Sequence, residues 1–302
     1  MKPIKLEPIY KSTAWAGRKI NSIRHLEGES IGIAREVCAY KGSENIVKTA
    51  PYAGQKISEV IRTHKTEFLG NIQTDQLIRI AYMDAREDLS IQVHPNAQLG
   101  IKENDFEKSE AWYVLEADEG SRVTVGLSIN GINEIRERIQ TGKLEPVLIH
   151  EQVQTGDFIL VPAGLIHACG KGLFVLEIGT YGGITYRLFD YDRGRALDIE
   201  KGLEALDPSL RCTITHCSPK PGCSQIGVDH TLFRAEVIDV LQSYTFANEE
   251  VYFVLTCVEN HCIVRTVDGI YPLEFTESIL LPANSGECIV EGTARLIRSS
   301  MK

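Results

Sequence analysis

The sequence contains no apolar run approaching the roughly 18 consecutive residues that a membrane span requires. Its first ten residues, MKPIKLEPIY, lack the continuous apolar stretch of a secretion signal. A cytoplasmic location with no membrane partner is therefore expected. Positive charge is also in short supply. Lysine and arginine number 32 against 41 acidic residues, a net charge of −9, and nowhere do the basic residues cluster. Phosphate backbones are bound through such clusters, so no nucleic-acid partner is expected. A small phosphorylated ligand would need its own local cationic pocket, because the field of an acidic protein does not draw anions in. Finally, no C-x-x-C pair occurs among Cys38, Cys169, Cys212, Cys217, Cys223, Cys257, Cys262 and Cys288. Cys212, His216, Cys217 and Cys223 lie close in sequence, but their spacing matches no common structural zinc site, and reduced, inert thiols are expected.

What is present is the balance of a chain with a substantial core. With 302 residues, 43% hydrophobic and 24% charged, there is length for two ordinary domains. Short β-branched or alternating runs bounded by Gly, Pro and Asn predict strands at Leu89 to Val93, Ala111 to Glu116, Arg122 to Leu127, Phe158 to Val161, Leu173 to Ile178 and Ile184 to Phe189. A second set is predicted at Phe233 to Leu241, Val251 to Val258, Cys262 to Thr266 and Glu277 to Pro282. Helical spacing is confined to Ile57, Val60, Ile61 and Phe68, to Ile132, Ile135 and Ile139, and to Ile199, Leu203 and Leu206. The fold class is thus mainly β, a sandwich or barrel decorated by a few helices. A domain boundary is expected near Asp207-Pro208. The run Ser278-Ile-Leu-Leu-Pro-Ala283 echoes Asp157-Phe-Ile-Leu-Val-Pro-Ala163, which predicts two copies of one β unit, the second eroded.

The chemistry gathers in the first copy. Gly156-Asp-Phe-Ile-Leu-Val-Pro162-Ala-Gly164-Leu-Ile-His167 reads as a strand, a tight turn permitted by glycine, and a return that carries an imidazole inward. Gln92 and His94 stand two apart on a predicted strand and so share one face. Glu110 opens the strand 110 to 116, and Lys108 can occupy the same face. His94, Glu110 and His167, with Gln92 as an oxygen donor, form a mixed nitrogen and oxygen set suited to zinc, and iron or manganese would also fit. Glu177 lies among apolar residues, where burial favours its neutral form and suits it to proton transfer. Arg187 is a fixed cation for an oxyanion or phosphate. A salt bridge between Glu177 and Arg187, buried for structural reasons only, is the competing account of that pair.

These motifs, in this order, resemble those of the type I mannose-6-phosphate isomerases in their short bacterial form, which belong to the cupin superfamily. The segments that carry the likeness are Asp84 to Pro95, Lys108 to Leu115, Pro162 to Ala168 and Tyr186 to Arg193, and it extends over residues 1 to 210. The resemblance implies two cupin (jelly-roll) barrels. Residues 1–207 would form a catalytic domain with helical insertions at 54–70 and 131–141, and 208–302 a degenerate domain without a metal site. It implies one zinc per chain held by Gln92, His94, Glu110 and His167. Arg187 and Glu177 would be the catalytic residues, and Ser90 and Lys108 would line the sugar-phosphate pocket. The activity implied is interconversion of mannose 6-phosphate and fructose 6-phosphate through a cis-enediol, by a monomer or weak homodimer. The sequence departs from the family at Trp15-Ala16-Gly17, at Glu36 to Tyr40, and at Gly182-Gly183, where the family carries Ser-Asp. Loss of that Asp removes a polar group near Arg187 and keeps one alternative in view, a sugar-phosphate-binding paralogue without turnover. Because cupins host many chemistries, another metal-dependent enzyme of the same scaffold, such as an oxygenase with Fe(II) at His94, Glu110 and His167, is a second.

Overall fold

The structure, a computed structural model, describes residues 1–72 and 76–302. A seven-stranded sheet runs in the spatial order β1 (Ile9–Ser12), β2 (Ile31–Val37), β5 (Arg79–Ala85), β12 (Leu173–Gly179), β7 (Glu110–Ala117), β10 (Asp157–Val161), β14 (Thr213–His216). A five-stranded sheet follows the order β13 (Tyr186–Phe189), β6 (Ile91–Val93), β11 (His167–Cys169), β8 (Arg122–Leu127), β9 (Leu148–Gln152). The six-stranded sheet is ordered β15 (Ser224–Asp229), β16 (Phe233–Phe246), β20 (Cys288–Met301), β17 (Phe253–Thr266), β18 (Gly269–Leu273), with β19 (Ser278–Leu281) also paired to β17. A small ribbon joins β3 (Ala39–Tyr40) to β4 (Ser43–Glu44). Among the described residues there are also six short α-helices, α1 (Lys19–Arg24), α2 (Ile57–Thr63), α3 (Lys65–Leu69), α4 (Ala97–Lys102), α5 (Ile132–Gln140) and α6 (Ile199–Ala205), and a single 3-10 turn at Glu145–Val147. None of the described helices is long and apolar enough to cross a membrane.

The alternation of side chains across the strands decides what each face meets. Val114 of β7, Ile159 and Val161 of β10, and Val175 of β12 pack in one apolar cluster with Val123 and Val125 of β8 and Cys169 of β11, so the seven- and five-stranded sheets face each other across a shared core. The opposite face of the five-stranded sheet is apolar too. Ile91, Val93, Ala168, Tyr186 and Leu188 pack there with Leu99 of α4, Ile135 and Ile139 of α5, and Leu203 and Ala205 of α6. Covering that face fixes the register of β6, β11 and β13, because a slip of one residue would send every apolar side chain to the wrong side.

The chain divides into two compact units, each assembled from separate stretches: residues 10–34 with 81–215, and residues 1–9 with 35–80 and 216–302. One passage between them falls at 215/216. Residues 35–80, which carry α2 and α3, group with the C-terminal strands, whereas the sequence reading placed that helical segment in the first domain. Two strands expected at Val251 to Val258 and Cys262 to Thr266 are one, β17, interrupted by a bulge between Cys257 and Glu259. All eight cysteines are free thiols.

Candidate metal centre

At one end of the first unit the interior turns polar, and the strand registers explain why. On the five-stranded sheet Arg187 lies directly opposite Gln92, and Gln92 opposite His167, so the three form one row across β13, β6 and β11. Their neighbours of opposite parity, Tyr186, Val93 and Ala168, face the helices. The row therefore faces the interior. On the seven-stranded sheet Glu177 of β12 lies opposite Trp112 of β7, and Gly179 opposite Glu110, so Glu177, Trp112 and Glu110 share one face. Trp112 belongs to the core between the sheets, and its ring centroid lies 5.7 Å from that of His167.

His94, Glu110 and His167 come together with one ligand atom from each within 4.8 Å of the others, and all three are buried. Glu110 Oε2 lies 3.4 Å from His94 Nε2, and Glu110 Oε1 lies 3.5 Å from His167 Nε2. The other nitrogen of each ring fixes its tautomer. His94 Nδ1 stands 3.0 Å from the Ile184 carbonyl and His167 Nδ1 2.8 Å from the Leu165 carbonyl. A carbonyl can only accept, so both Nδ1 atoms carry hydrogen, and both Nε2 lone pairs turn toward Glu110. The two imidazoles lie with centroids 4.7 Å apart and planes tilted by 51°. Gln92 adds its amide, with Nε2 3.3 Å from His167 Nε2, and a half-turn of that amide presents Oε1 instead.

Lys108 closes the cluster. Its Nζ lies 2.8 Å from Glu110 Oε2 and 2.9 Å from His94 Nε2, so the lysine sits inside the donor set and not on a separate wall of a pocket. Burial, reinforced by this ammonium, pulls the pKa of His94 down to about 3, and burial likewise lowers that of His167. For Glu110 burial acts in the raising direction, but Lys108 and then His94 outweigh it and hold the carboxyl well below the usual range. The result is two neutral imidazoles and a carboxylate at neutral pH, which is the protonation state a divalent metal requires. Despite the nearby ammonium, Glu110 Oε2 is buried without a well-formed hydrogen bond. A buried acceptor left in that state, between two inward lone pairs, fits a metal ion.

The remaining predicted residues are also in the first unit. Ser90 is buried just before β6, two residues from Gln92. Arg187 donates from Nη1 to the Ala196 carbonyl at 3.1 Å and brings Nε to 4.0 Å from Asp190 Oδ1, while its backbone N–H donates to Asp198 Oδ2 at 3.2 Å. Carboxylates therefore stand beside Arg187 even without the family's Asp. Gly182 has a steric reason of its own: a Cβ there would lie 2.5 Å from the Phe106 carbonyl oxygen and 2.7 Å from that of Glu107. The next residue, Gly183, donates its N–H to Asp105 Oδ2 at 2.9 Å. Two arginines escaped the sequence reading. Arg193 and Arg195 gather with Arg187 around the buried Asp190 on the loop after β13. Arg193 had been visible as the last residue of the Tyr186 to Arg193 motif, but nothing in its spacing announced that it would turn back on Asp190.

Facing sheets around an inward His–Glu–His donor set define a mainly-β protein of the cupin superfamily with a site suited to a metal. The family model for the cupin domain of mannose-6-phosphate isomerase matches residues 228–301, in the part of the chain where the sequence reading found least likeness. The mannose-6-phosphate isomerase ManA of Bacillus subtilis is 27% identical over 312 residues, covering 99% of each chain. That of Streptococcus mutans is 31% identical over 214 residues, covering 68% of this chain and 67% of its own. A crystal structure of mannose 6-phosphate isomerase from Bacillus subtilis superposes with a TM-score of 0.87 at 25% identity, covering 99% of each chain. The chain belongs to the mannose-6-phosphate isomerase family, a family of aldose–ketose isomerases.

Proposed function

We propose that this protein is a zinc-dependent enzyme that interconverts mannose 6-phosphate and fructose 6-phosphate through a cis-enediol, at the site between the two sheets of the first unit. The observation that carries the reading is the convergence of two neutral imidazole Nε2 atoms and the Glu110 carboxylate on one buried point, beside the Lys108 ammonium and in line with Arg187. His94, Glu110, His167 and Gln92 would hold the metal. Zinc suits this set and supplies, when bound, polarisation of the sugar oxygens.

The rest of the chemistry falls to the chain's own residues. Moving a proton between C2 and C1 leaves an enediolate whose negative oxygen must be stabilised. Arg187 stands in the same row as Gln92 and His167, which suits it to supply fixed positive charge there. Glu177, on the face shared with Glu110, is the acid/base that carries the proton. Lys108 and Ser90 line the sugar-phosphate pocket, Lys108 at its metal-facing end beside Glu110 and His94, which places the reacting carbons and supplies rate through position. The chain would form two cupin barrels, the first catalytic and the second without a donor set, and would work in the cytoplasm as a monomer or weak homodimer.

The test is direct. Purified protein is incubated with mannose 6-phosphate, with and without a chelator, and fructose 6-phosphate is followed through a coupled dehydrogenase. Turnover that chelation abolishes and zinc restores is expected. Zinc-loaded protein that binds the sugar phosphate but forms no ketose would overturn the assignment in favour of a binding role.

A further inference from the structure

The donor set is drawn from three separate stretches of chain, and two buried hydroxyls tie them together. Thr180 accepts at Oγ1 from the Ser109 N–H at 3.0 Å and donates from the same oxygen to the Glu107 carbonyl at 2.7 Å. Its own N–H donates to the Ser109 carbonyl at 2.9 Å. Thr180 thereby grips the backbone on both sides of Lys108, at Glu107 and at Ser109, the residue before Glu110. Ser109 extends the tie in another direction: its Oγ donates to Glu107 Oε1 at 2.8 Å and accepts the Ala163 N–H at 3.0 Å, in the turn that leads to His167. The same turn reaches back to the first histidine, since the Gly164 N–H donates to the His94 carbonyl at 2.9 Å, and the Lys108 N–H donates to the Pro95 carbonyl at 3.1 Å. Four residues after Thr180 comes the Ile184 carbonyl that fixes the His94 ring.

We infer that Thr180 and Ser109 are positioning residues for the metal donors: their hydroxyls set the relative placement of the stretches bearing His94, Glu110 and His167. Neither hydroxyl is a ligand. Both side chains are buried, and every bond described for them is to backbone or to Glu107. Their effect on the metal runs through the strand ends they lock, as partners behind the ligands do in metal sites generally. Thr180→Val keeps the shape of the side chain but leaves the Ser109 N–H without its partner and the Glu107 carbonyl with only the Gly182 N–H at 3.3 Å, so the entry of β7 is free to shift.

The inference rests on the proposed metal site, and the experiment separates the two. Full-length wild type and variants are stripped of metal, and zinc affinity is measured by competition with a chromophoric chelator, while urea melts in excess chelator report stability without metal. Thr180→Val should weaken zinc binding by about 10–100-fold, and Thr180→Ser, which restores the hydroxyl, should bind as wild type does. Thr256→Val is the control, because Thr256 Oγ1 forms a buried hydroxyl pair with Ser278 Oγ at 2.9 Å in the other unit. It should melt earlier with zinc affinity unchanged. Should Thr180→Val fail to fold, Ser109→Ala, which cuts only the links to Ala163 and Glu107, is expected to weaken zinc binding as well. Unchanged affinity in Thr180→Val, or in Ser109→Ala where that variant stands in, overturns the inference, as does an equal loss in Thr256→Val. Wild type that takes up no zinc defeats the metal reading itself, and this inference with it.

Discussion

Glu110 is the residue on which the electrostatics of the site turn, and Glu110→Gln tests them with little change of shape. In metal-free protein the Glu110 carboxylate is the counter-ion of Lys108, at 2.8 Å, with both side chains buried. Removing one partner of a buried pair leaves the other charge uncompensated, which costs about 3–5 kcal/mol. His94 Nε2 at 2.9 Å can still accept from the ammonium, so the lower end of that range is expected. With a urea slope of about 2–3 kcal/mol/M the midpoint in excess chelator should fall by about 1–2 M. The double variant Glu110→Gln/Lys108→Met removes both charges, and it should recover more than half of the loss, a coupling that a double-mutant cycle reads directly. Neither variant should retain stoichiometric metal or activity. If Glu110→Gln melts with wild type, or keeps its metal by elemental analysis, the account of a buried carboxylate shared between a lysine and a metal is wrong.

Three further outcomes follow from the same geometry. His94→Ala should lose metal and activity together, whereas Arg187→Ala should keep its metal and lose about 10²–10³ in kcat; zinc released from Arg187→Ala would mark that arginine as structural. The lowered pKa values of His94 and His167 mean that both rings stay neutral as pH falls through 6.5, so metal content followed by dialysis at stepped pH should persist below that point. The same sign applies to folding: the stability contributed by the neutral rings is present above pH 6.5 and declines toward about 3 for His94, and a loss centred at 6.5 would contradict the burial argument. Gly182→Ala would force a Cβ to 2.5 Å from a carbonyl oxygen, and its melting point should fall by the equivalent of about 1–3 kcal/mol.

The donor set was legible because each of its parts is local in sequence. Strand alternation puts Gln92 and His94 on one side, and the Pro162 to His167 turn carries its imidazole inward whatever surrounds it. What could not be read was everything that depends on long-range pairing. β5 is buried on both faces, so it lacks the alternation that marks a half-exposed strand. β20 includes Gly292, Thr293 and several charged residues and carries no strong apolar run, yet it is held along its length by β16 and β17. The grouping of residues 35–80 with the C-terminal strands has no sequence mark at all. Lys108 was placed on the correct face, but its position inside the donor set follows from Glu110 and His94 lying within reach of a single ammonium, a fact of tertiary geometry.

The internal repeat shows how little of a site resides in its most recognisable motif. Both copies make the same turn: Gly164 and Asn284, each two residues after the proline, adopt left-handed φ of 89° and 53°. In each, that residue's N–H closes on a distant carbonyl, His94 in the first and Glu249 in the second. The residue before the proline is also paired alike, Val161 with Glu110 and Leu281 with Phe253. Register thus carries His94 onto Glu249 and Glu110 onto Phe253, and the strand after the turn opens on His167 in one copy and Cys288 in the other. Phe253 and Cys288 lie in the apolar core of the second unit with Leu255, Val264 and Leu281. One conserved backbone turn therefore ends in a polar interior able to bind a cation or in a hydrophobic one, and the choice is made by a few side chains on the strands it pairs with. Reinstalling a donor at Phe253 alone should yield no metal site, because a lone carboxylate buried among those apolar neighbours would take up a proton before it took up a cation.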